Sequence, residues 1–245
     1  EGAKWCGKTS TSEHLAGSVL YMDNPKDRYA NIKMAEIDPE KLLEGGTPRL
    51  IDEWQTIPPL WDSIRSSVDK RGEPSQFILT GSSVLPEADQ TTHSGTGRIG
   101  RLRMRPMSLY ESGESNGTVS LHSLFDGEAM QPQCNDLDLD GIAYLTCRGG
   151  WPAATLLNGD VALDQAIDYL DSVVEYDILR VDGVKRDPQR VRRLMRSYAR
   201  NIAGQVSYST FRADMKSNDA DTLDEDTVAD YIKALKRLFV IEDLE

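Results

Sequence analysis

The chain begins with a glycine-rich turn, EGAKWCGKTS, and four of its residues match the spacing G-x-x-x-x-G-K-[ST]: Gly2, Gly7, Lys8 and Thr9. Such a turn binds phosphate because glycine lets successive backbone N–H groups face inward, and the following helix adds the partial positive charge of its N-terminus. Lys8 would supply a full charge for the β- and γ-phosphates, and the Thr9 hydroxyl is a ligand for Mg²⁺. The alternative interpretation is a glycine turn that only caps a helix.

Short apolar runs alternate with helical patterns over the first third of the chain. Runs that end in polar residues predict three buried strands: Ser18–Met22, Arg49–Trp54 and Gln76–Ser83. The segments between them predict three helices: Lys8–Ala16, Pro39–Leu43 and Leu60–Val68. A further strand is predicted for Arg101–Tyr110, with a turn at Pro106. Alternation of this kind predicts an α/β fold with a doubly wound parallel sheet.

Two adjacent acids, Asp52 and Glu53, follow the apolar pair Leu50–Ile51 at the end of the second predicted strand. With a phosphate loop upstream, an acid at this strand end can hold Mg²⁺, and the next acid can orient or deprotonate water. We therefore predict Asp52 as a metal residue and Glu53 as a catalytic residue. The alternative is a pair of solvated loop carboxylates.

Polar residues also end the third predicted strand, where Thr80 and Ser82 stand in FILTGSS. Ligands of a doubly wound sheet lie beyond the carboxyl ends of its strands, so either hydroxyl can sense a γ-phosphate through water. Arg98, in the glycine-flanked segment GTGRIG, is predicted to stabilise charge on a transferred phosphoryl group, in its own chain or in a neighbouring subunit. Ordinary turn residues and a solvated arginine are the alternatives.

The last part of the chain contains three helical patterns: Pro188–Asn201, Thr210–Met215 with Ser209 as its N-cap, and Glu225–Phe239. The final residues, VIEDLE from Val240, predict an extended strand. Three helices followed by a strand are typical of a winged helix-turn-helix. Before them, the sequence predicts helices at Leu121–Phe125 and Asp160–Leu179.

Composition limits the class of protein. The net charge is −12, which argues against a surface built for nucleic acid, and no apolar run approaches the roughly 18 residues of a membrane span. Cys6, Cys134 and Cys147 form no CxxC pair, so they suggest neither a disulfide framework nor a zinc site. We predict a cytoplasmic protein without a membrane partner.

Five segments, in this order, resemble a family of bacterial and archaeal AAA-type ATP-binding proteins: GAKWCGKT, PRLIDEWQ, FILTGSS, GTGRIGRLRMRPMSLYESGE and GGWPAA. The resemblance implies ATP and Mg²⁺ as cofactors and an α/β P-loop NTPase fold with a parallel sheet, followed by a helical lid and a winged helix-turn-helix. It makes Glu53, Lys8 and Arg98 the catalytic candidates and Thr9 and Asp52 the metal candidates. The nucleotide-binding candidates are Gly2, Cys6, Gly7, Lys8, Thr9, Ser10, Thr80 and Ser82.

The resemblance also implies a division of the chain. We expect a P-loop core over residues 1–112, a linker over 113–140, a helical lid over 141–186 and a winged-helix domain over 187–245. Members of that family have a strand before the glycine loop, and they usually continue into a domain with a nuclease-like fold. We therefore expect the sequence from Glu1 to Glu245 to be truncated or incomplete, and we assign it no nuclease activity.

The sequence predicts a Mg²⁺-dependent ATPase whose hydrolysis moves the lid and the winged helix. The alternative is a nucleotide-gated regulator with little hydrolysis that associates with DNA or protein; a homo-oligomer also stays open. Asp224, Glu225 and Asp226 open the last helix and would repel DNA phosphates there. A second group is basic: Arg190, Arg192, Arg193, Arg196 and Arg200. These arginines form a salt-bridged or solvated face, contact a nucleic-acid backbone, or dock onto an acidic helix.

Overall fold

A small parallel sheet lies at the centre of the first part of the chain. The computed structural model describes residues 1–83, 97–128, 136–216 and 223–243. The strands are β1 (Ser18–Tyr21), β2 (Arg49–Asp52) and β3 (Phe77–Leu79), hydrogen-bonded in the order β1-β2-β3. Both pairs are parallel, with Leu50 of β2 opposite Val19 and Ile78. The three predicted strands and their parallel arrangement are confirmed.

Helices fill the connections between these strands. They are α1 (Lys8–Glu13), α2 (Arg28–Ile37) and α3 (Leu60–Arg71), with 3₁₀ turns at Pro39–Leu43 and Trp54–Thr56. The predictions for α1, the first 3₁₀ turn and α3 are confirmed, whereas α2 was not predicted. Apolar side chains from the sheet, from the residue after β1, from the first 3₁₀ turn and from α3 form the core. The fully buried members include Met22, Leu43, Ile51, Leu60 and Ile64. This core fixes the end of β2 and therefore the position of its last residue, Asp52, and of Glu53, which follows it.

The strand predicted for Arg101–Tyr110 is wrong. This segment makes a single parallel bridge, between Gly2 and Met104, and the Met104 N–H donates to the Glu1 carbonyl at 2.8 Å. The alternating pattern needs a buried apolar face, but Leu102 is 81% exposed. Without that burial, the segment has little to stabilise a longer strand.

The chain divides into two compact units. One contains Glu1–Lys4, Lys8–Met104 and Asp171–Glu245, and the other contains Trp5–Gly7 and Arg105–Leu170. The helices that follow Arg105 are α4 (Leu121–Phe125), α5 (Leu139–Arg148), α6 (Pro152–Thr155) and α7 (Asp160–Ser172). Within the second unit, the buried Arg148 guanidinium donates to Glu114 at 2.6 Å, and the rings of Trp151 and Tyr169 lie 4.2 Å apart.

A wide, π-helical turn (Val173–Asp177) extends α7 into α8 (Ile178–Arg180). Three helices follow, α9 (Pro188–Arg200), α10 (Tyr208–Met215) and α11 (Glu225–Arg237), as the sequence predicts. Ser209 was predicted as the N-cap of α10, but the cap is Ser207, whose hydroxyl accepts from the Thr210 N–H at 3.3 Å. Only a residue just outside the helix can point its hydroxyl back at the first turn, and Ser209 already lies inside it.

The predicted final strand is not formed over residues 240–243, the part of that segment that the structure describes. Instead, α11 ends in a Schellman motif, in which Phe239 has a left-handed φ of 57° and the Val240 N–H donates to the Leu235 carbonyl at 3.1 Å. This hydrogen bond turns the chain back on the helix. The three helices are confirmed, and a winged helix, like the helical lid, stays a prediction.

The described helices include none that combines the length and the apolar character needed to cross a bilayer.

Candidate functional site

The glycine turn adopts backbone angles that few residues accept. Gly7 has a φ of 97°, which is accessible to glycine and costly for other residues. Trp5 also has a positive φ, 67°, which is uncommon for a bulky residue and stores strain of the order of 1 kcal/mol or more. Strained backbone of this kind concentrates at ligand sites, and it supports the prediction of a binding loop.

Lys8 is folded back over its own loop. Its ammonium donates to the Ala3 carbonyl at 2.7 Å, and only 7% of the residue is exposed. A lysine is seldom buried to this extent unless its charge has partners, because desolvating an ammonium is costly. The contact with Ala3 joins the beginning and the end of the turn.

Asp52 joins three elements at the end of β2. The Thr9 hydroxyl of α1 donates to Asp52 Oδ1 at 2.8 Å, and the Thr80 hydroxyl, just after β3, donates to the same oxygen. Asp52 is only 6% exposed. The structure therefore brings together three of the predicted site residues in one buried group of oxygens.

Glu53 forms the second half of the site. Its backbone is left-handed, with a φ of 54°, and Ser82 Oγ donates to its Oε2 at 2.9 Å. Gln55 Nε2 donates to the same oxygen. The carboxylate is thus held by one predicted residue and by one that sequence reasoning left without a role.

The position of the Gln55 side chain depends on its close packing against Gly81, just after β3. A Cβ on Gly81 would lie 2.7 Å from Gln55 Oε1, so glycine leaves the room for this amide. Gln55 Oε1 is buried and has no hydrogen-bond partner among the described residues. The signal in the sequence was the polar residue two positions after Glu53, in IDEWQ, but only the left-handed turn shows that it reaches back to the carboxylate.

Two family matches cover most of the chain. Residues 1–113 match a family described as an AAA domain, and residues 139–245 match a domain of unknown function, DUF8612. Residues 1–113 form an AAA domain. The family implies an α/β P-loop NTPase fold that binds nucleotide, in agreement with the parallel sheet and with the resemblance drawn from the motifs. No curated protein and no solved structure matches the chain.

Two other predicted residues of the AAA domain lie apart from this group of hydrogen bonds. Ser10 is exposed, and its carbonyl contacts His14 Nδ1 at 2.6 Å. Arg98 Nε donates to Asp69 Oδ1 at 2.5 Å, which holds the pKa of that carboxyl below its ordinary value. The guanidinium is therefore neutralised on α3 in this structure, and its role in catalysis stays a prediction.

The oxygens around Asp52 fit a magnesium ion. Thr9 supplies a hydroxyl oxygen and Asp52 a carboxylate oxygen, and these two oxygens lie 2.8 Å apart. Oxygen ligands of this kind bind Mg²⁺ together with substrate phosphates. The described residues contain no cluster of three or more His, Cys, Asp or Glu side chains that could hold a metal. A cation beside Asp52 would complete its coordination with water and phosphate oxygens, as Mg²⁺ commonly does.

The basic face of α9 is internally paired at several positions. Arg192 contacts Asp171 at 2.9 Å and Glu175 at 3.2 Å, and Arg200 contacts Asp214 at 2.5 Å. Of the interpretations left open by the sequence, the salt-bridged face describes these two arginines.

The thiol of Cys6 tests the loop assignment. Cys6 is 1% exposed, whereas Cys147 on α5 is exposed and serves as an internal reference. We expect a thiol reagent to modify Cys147 first and Cys6 slowly, as the loop opens. ATP should slow the modification of Cys6 and leave Cys147 unchanged, as measured by peptide mass spectrometry. Equal modification of Cys6 with and without ATP would count against a nucleotide-binding loop.

Proposed function

We propose that the chain is a Mg²⁺-dependent ATPase of the AAA type. The observation that carries this proposal is the pairing of Thr9 and Thr80 with one oxygen of Asp52, directly before a glutamate held by Ser82. A solvated pair of loop acids would need no such hydroxyl partners. The arrangement is what a site for metal and water requires at the end of a central strand.

Each residue of this site has a separate task. Lys8 and the loop amides bind the β- and γ-phosphates of ATP, and Thr9 and Asp52 hold Mg²⁺. When bound, Mg²⁺ neutralises charge on the phosphate oxygens. Glu53 accepts the proton of the attacking water at a carboxylate oxygen, and the resulting hydroxide attacks the γ-phosphorus as the bond to the β-phosphate oxygen breaks. ADP and inorganic phosphate leave.

Ser82 and Gln55 fix the Glu53 carboxylate before the reaction. Both donate to Oε2, so they restrict the side-chain rotamer, and Oε1 is the oxygen that we assign to the proton of the attacking water. A general base must lie within hydrogen-bond reach of its proton, so holding the rotamer raises the fraction of time spent in a productive geometry.

Several finer parts of the proposal follow from the resemblance. They are the movement of a helical lid and a winged helix on hydrolysis, the phosphoryl contact of Arg98, and a cytoplasmic location. A protein partner or a second copy of the chain belongs to the same group.

A nucleotide-gated regulator with little hydrolysis is the second candidate. It is favoured by the ion pair between Arg98 and Asp69, because an arginine held on α3 is not available to a phosphate until that pair breaks. Phosphate release by the purified chain, with Mg²⁺ and ATP varied independently, separates the two. Mg²⁺-dependent turnover supports the ATPase, whereas tight ATP binding without turnover, with and without DNA, supports the regulator.

Lys8→Met is expected to weaken ATP binding by about 10- to 100-fold, the size of a hydrogen bond to a charged group. The matched control is Lys33→Met, which removes an exposed lysine paired with Glu36 on α2. Titration with a fluorescent ATP analogue measures both affinities. Wild-type affinity in Lys8→Met would refute the role given to this loop.

A further inference from the structure

A second lysine of the glycine turn, Lys4, contacts the C-terminal segment. Its ammonium lies 3.2 Å from Asp177 Oδ1, 3.3 Å from Asp177 Oδ2 and 3.3 Å from Ser172 Oγ. All three residues belong to the same compact unit. Lys4 stands within residues 1–113, the AAA domain, and its two partners stand within residues 139–245, the domain of unknown function.

The partner side of this contact is firmly held. Ser172 Oγ donates to Asp177 Oδ2 at 3.2 Å, so the carboxylate is oriented from its own helix as well as by Lys4. Between them runs the π-helical turn, in which Val173 and Val174 are buried, and Ile178 is buried just after it. Single π-helical turns within α-helices occur frequently at functional sites.

On the loop side, Lys4 lies between the acceptor of the Lys8 hydrogen bond and the strained residue Trp5. Ala3, next to Lys4, accepts the hydrogen bond from the Lys8 ammonium, so the backbone at Ala3–Lys4 determines where that ammonium lies. Trp5, the next residue, has the strained left-handed backbone. Strain persists only where the surrounding structure over-determines it, and Asp177 supplies one such constraint.

We propose that Asp177 is a positioning residue of the nucleotide loop: by holding Lys4, the C-terminal segment orders the AAA loop for phosphate and sets its affinity for ATP. This inference rests on the proposed function. Asp177 does not touch nucleotide; it acts through Lys4 and the backbone at Ala3. The domain of unknown function therefore supports the nucleotide loop of the AAA domain without contacting the nucleotide.

The test compares Asp177→Asn with a matched control in the full chain. Asp171→Asn makes the same change on the same helix, where the carboxylate pairs with Arg192 instead of Lys4. We expect ATP affinity, measured with a fluorescent ATP analogue, to fall about 10-fold in Asp177→Asn, within the range typical of coupling between sites, and to stay near wild type in Asp171→Asn. Unfolding in urea, followed by circular dichroism, shows whether each variant is folded.

A double-mutant cycle with Lys4→Met then isolates the contact. Each single variant should weaken ATP binding, and the double variant should be no weaker than the worse single one, because both changes remove the same interaction. Additive losses, or equal affinity in Asp177→Asn and Asp171→Asn, would overturn the proposal. Tighter binding in Asp177→Asn would also overturn it, because the released Lys4 would then be a phosphate ligand.

A readout without nucleotide separates this inference from the proposed function. Amide hydrogen exchange in a peptide covering residues 1–10 should be faster in Asp177→Asn than in wild type and unchanged in Asp171→Asn. Unchanged exchange in Asp177→Asn refutes the positioning role even in a chain that binds ATP. A wild-type chain that binds no ATP refutes the proposed function, and the exchange result still decides whether Asp177 orders the loop.

Discussion

Glu53→Gln is expected to bind ATP with nearly the affinity of the wild-type chain and to release phosphate at least about 100-fold more slowly, the usual size of a general-base contribution. Glutamine keeps the length of the side chain and an oxygen that can accept from Ser82 and Gln55. It cannot take a proton from water at neutral pH. The substitution should therefore slow ATP turnover without weakening ATP binding.

The control for this variant is Glu36→Gln, the same chemical change on the surface of α2, where the carboxylate pairs with Lys33. Phosphate release and ATP affinity are measured on both variants under the same Mg²⁺ concentration. Unchanged turnover in Glu53→Gln would remove Glu53 from the mechanism. A loss of affinity as large as the loss of turnover would instead make Glu53 a binding residue.

The proximity of three predicted site residues follows from sheet topology alone, whereas their roles stay predictions. Thr9, Asp52 and Thr80 stand just after the loop or at strand ends, and a parallel sheet brings such positions together at one edge. Their mutual hydrogen bonds are the result. Gln55 was not predicted because its position depends on the left-handed turn at Glu53 and on the space beside Gly81, and neither follows from spacing.

The two errors in the predicted fold have a common physical origin. The strand predicted for Arg101–Tyr110 and the final strand from Val240 were inferred from local patterns, and both would need a partner surface that the pattern does not specify. Leu102 is left 81% exposed by the described residues, and the Val240 N–H donates to the hydrogen bond that ends α11. Tertiary context decides whether such segments form strands, whereas the continuous apolar runs of β1, β2 and β3 predict strands by themselves.

Arg186→Met is expected to lower the free energy of unfolding by about 3 kcal/mol or more, because removing one partner of a buried ion pair leaves the other desolvated. The Arg186 side chain is 2% exposed and donates to both oxygens of Asp182 at 2.8 Å. Arg237, 3.6 Å from Asp182, keeps part of the neutralisation in the variant. Urea unfolding followed by circular dichroism measures the change.

The control is Arg212→Met, whose guanidinium lies 3.7 Å from Glu225 in a pair that is 40% and 49% exposed. Exposed pairs of this kind contribute at most about 1 kcal/mol, so the two arginine variants should differ clearly. A loss in Arg186→Met no larger than that in Arg212→Met would show that the pair with Asp182 contributes no more than a surface pair.

The dependence of stability on pH tests whether Asp182 is the partner through which Arg186 stabilises the fold. Its pKa is lowered, mainly by the hydrogen bond from Arg186, so its contribution to folding is present above the ordinary aspartate pKa of about 3.9 and is lost as the pH falls below it. The wild-type chain should therefore lose more stability than Arg186→Met between pH 5 and the acid limit of folding, at roughly pH 3 for a marginally stable domain. Asp230, 3.8 Å from Arg186, also loses this neighbour in the variant, but its side chain is 63% exposed and an exposed pair contributes little. The carboxylates that do not contact Arg186 are the same in both chains and cancel in this difference. Parallel curves for the two chains would place the stabilisation outside the Arg186–Asp182 pair.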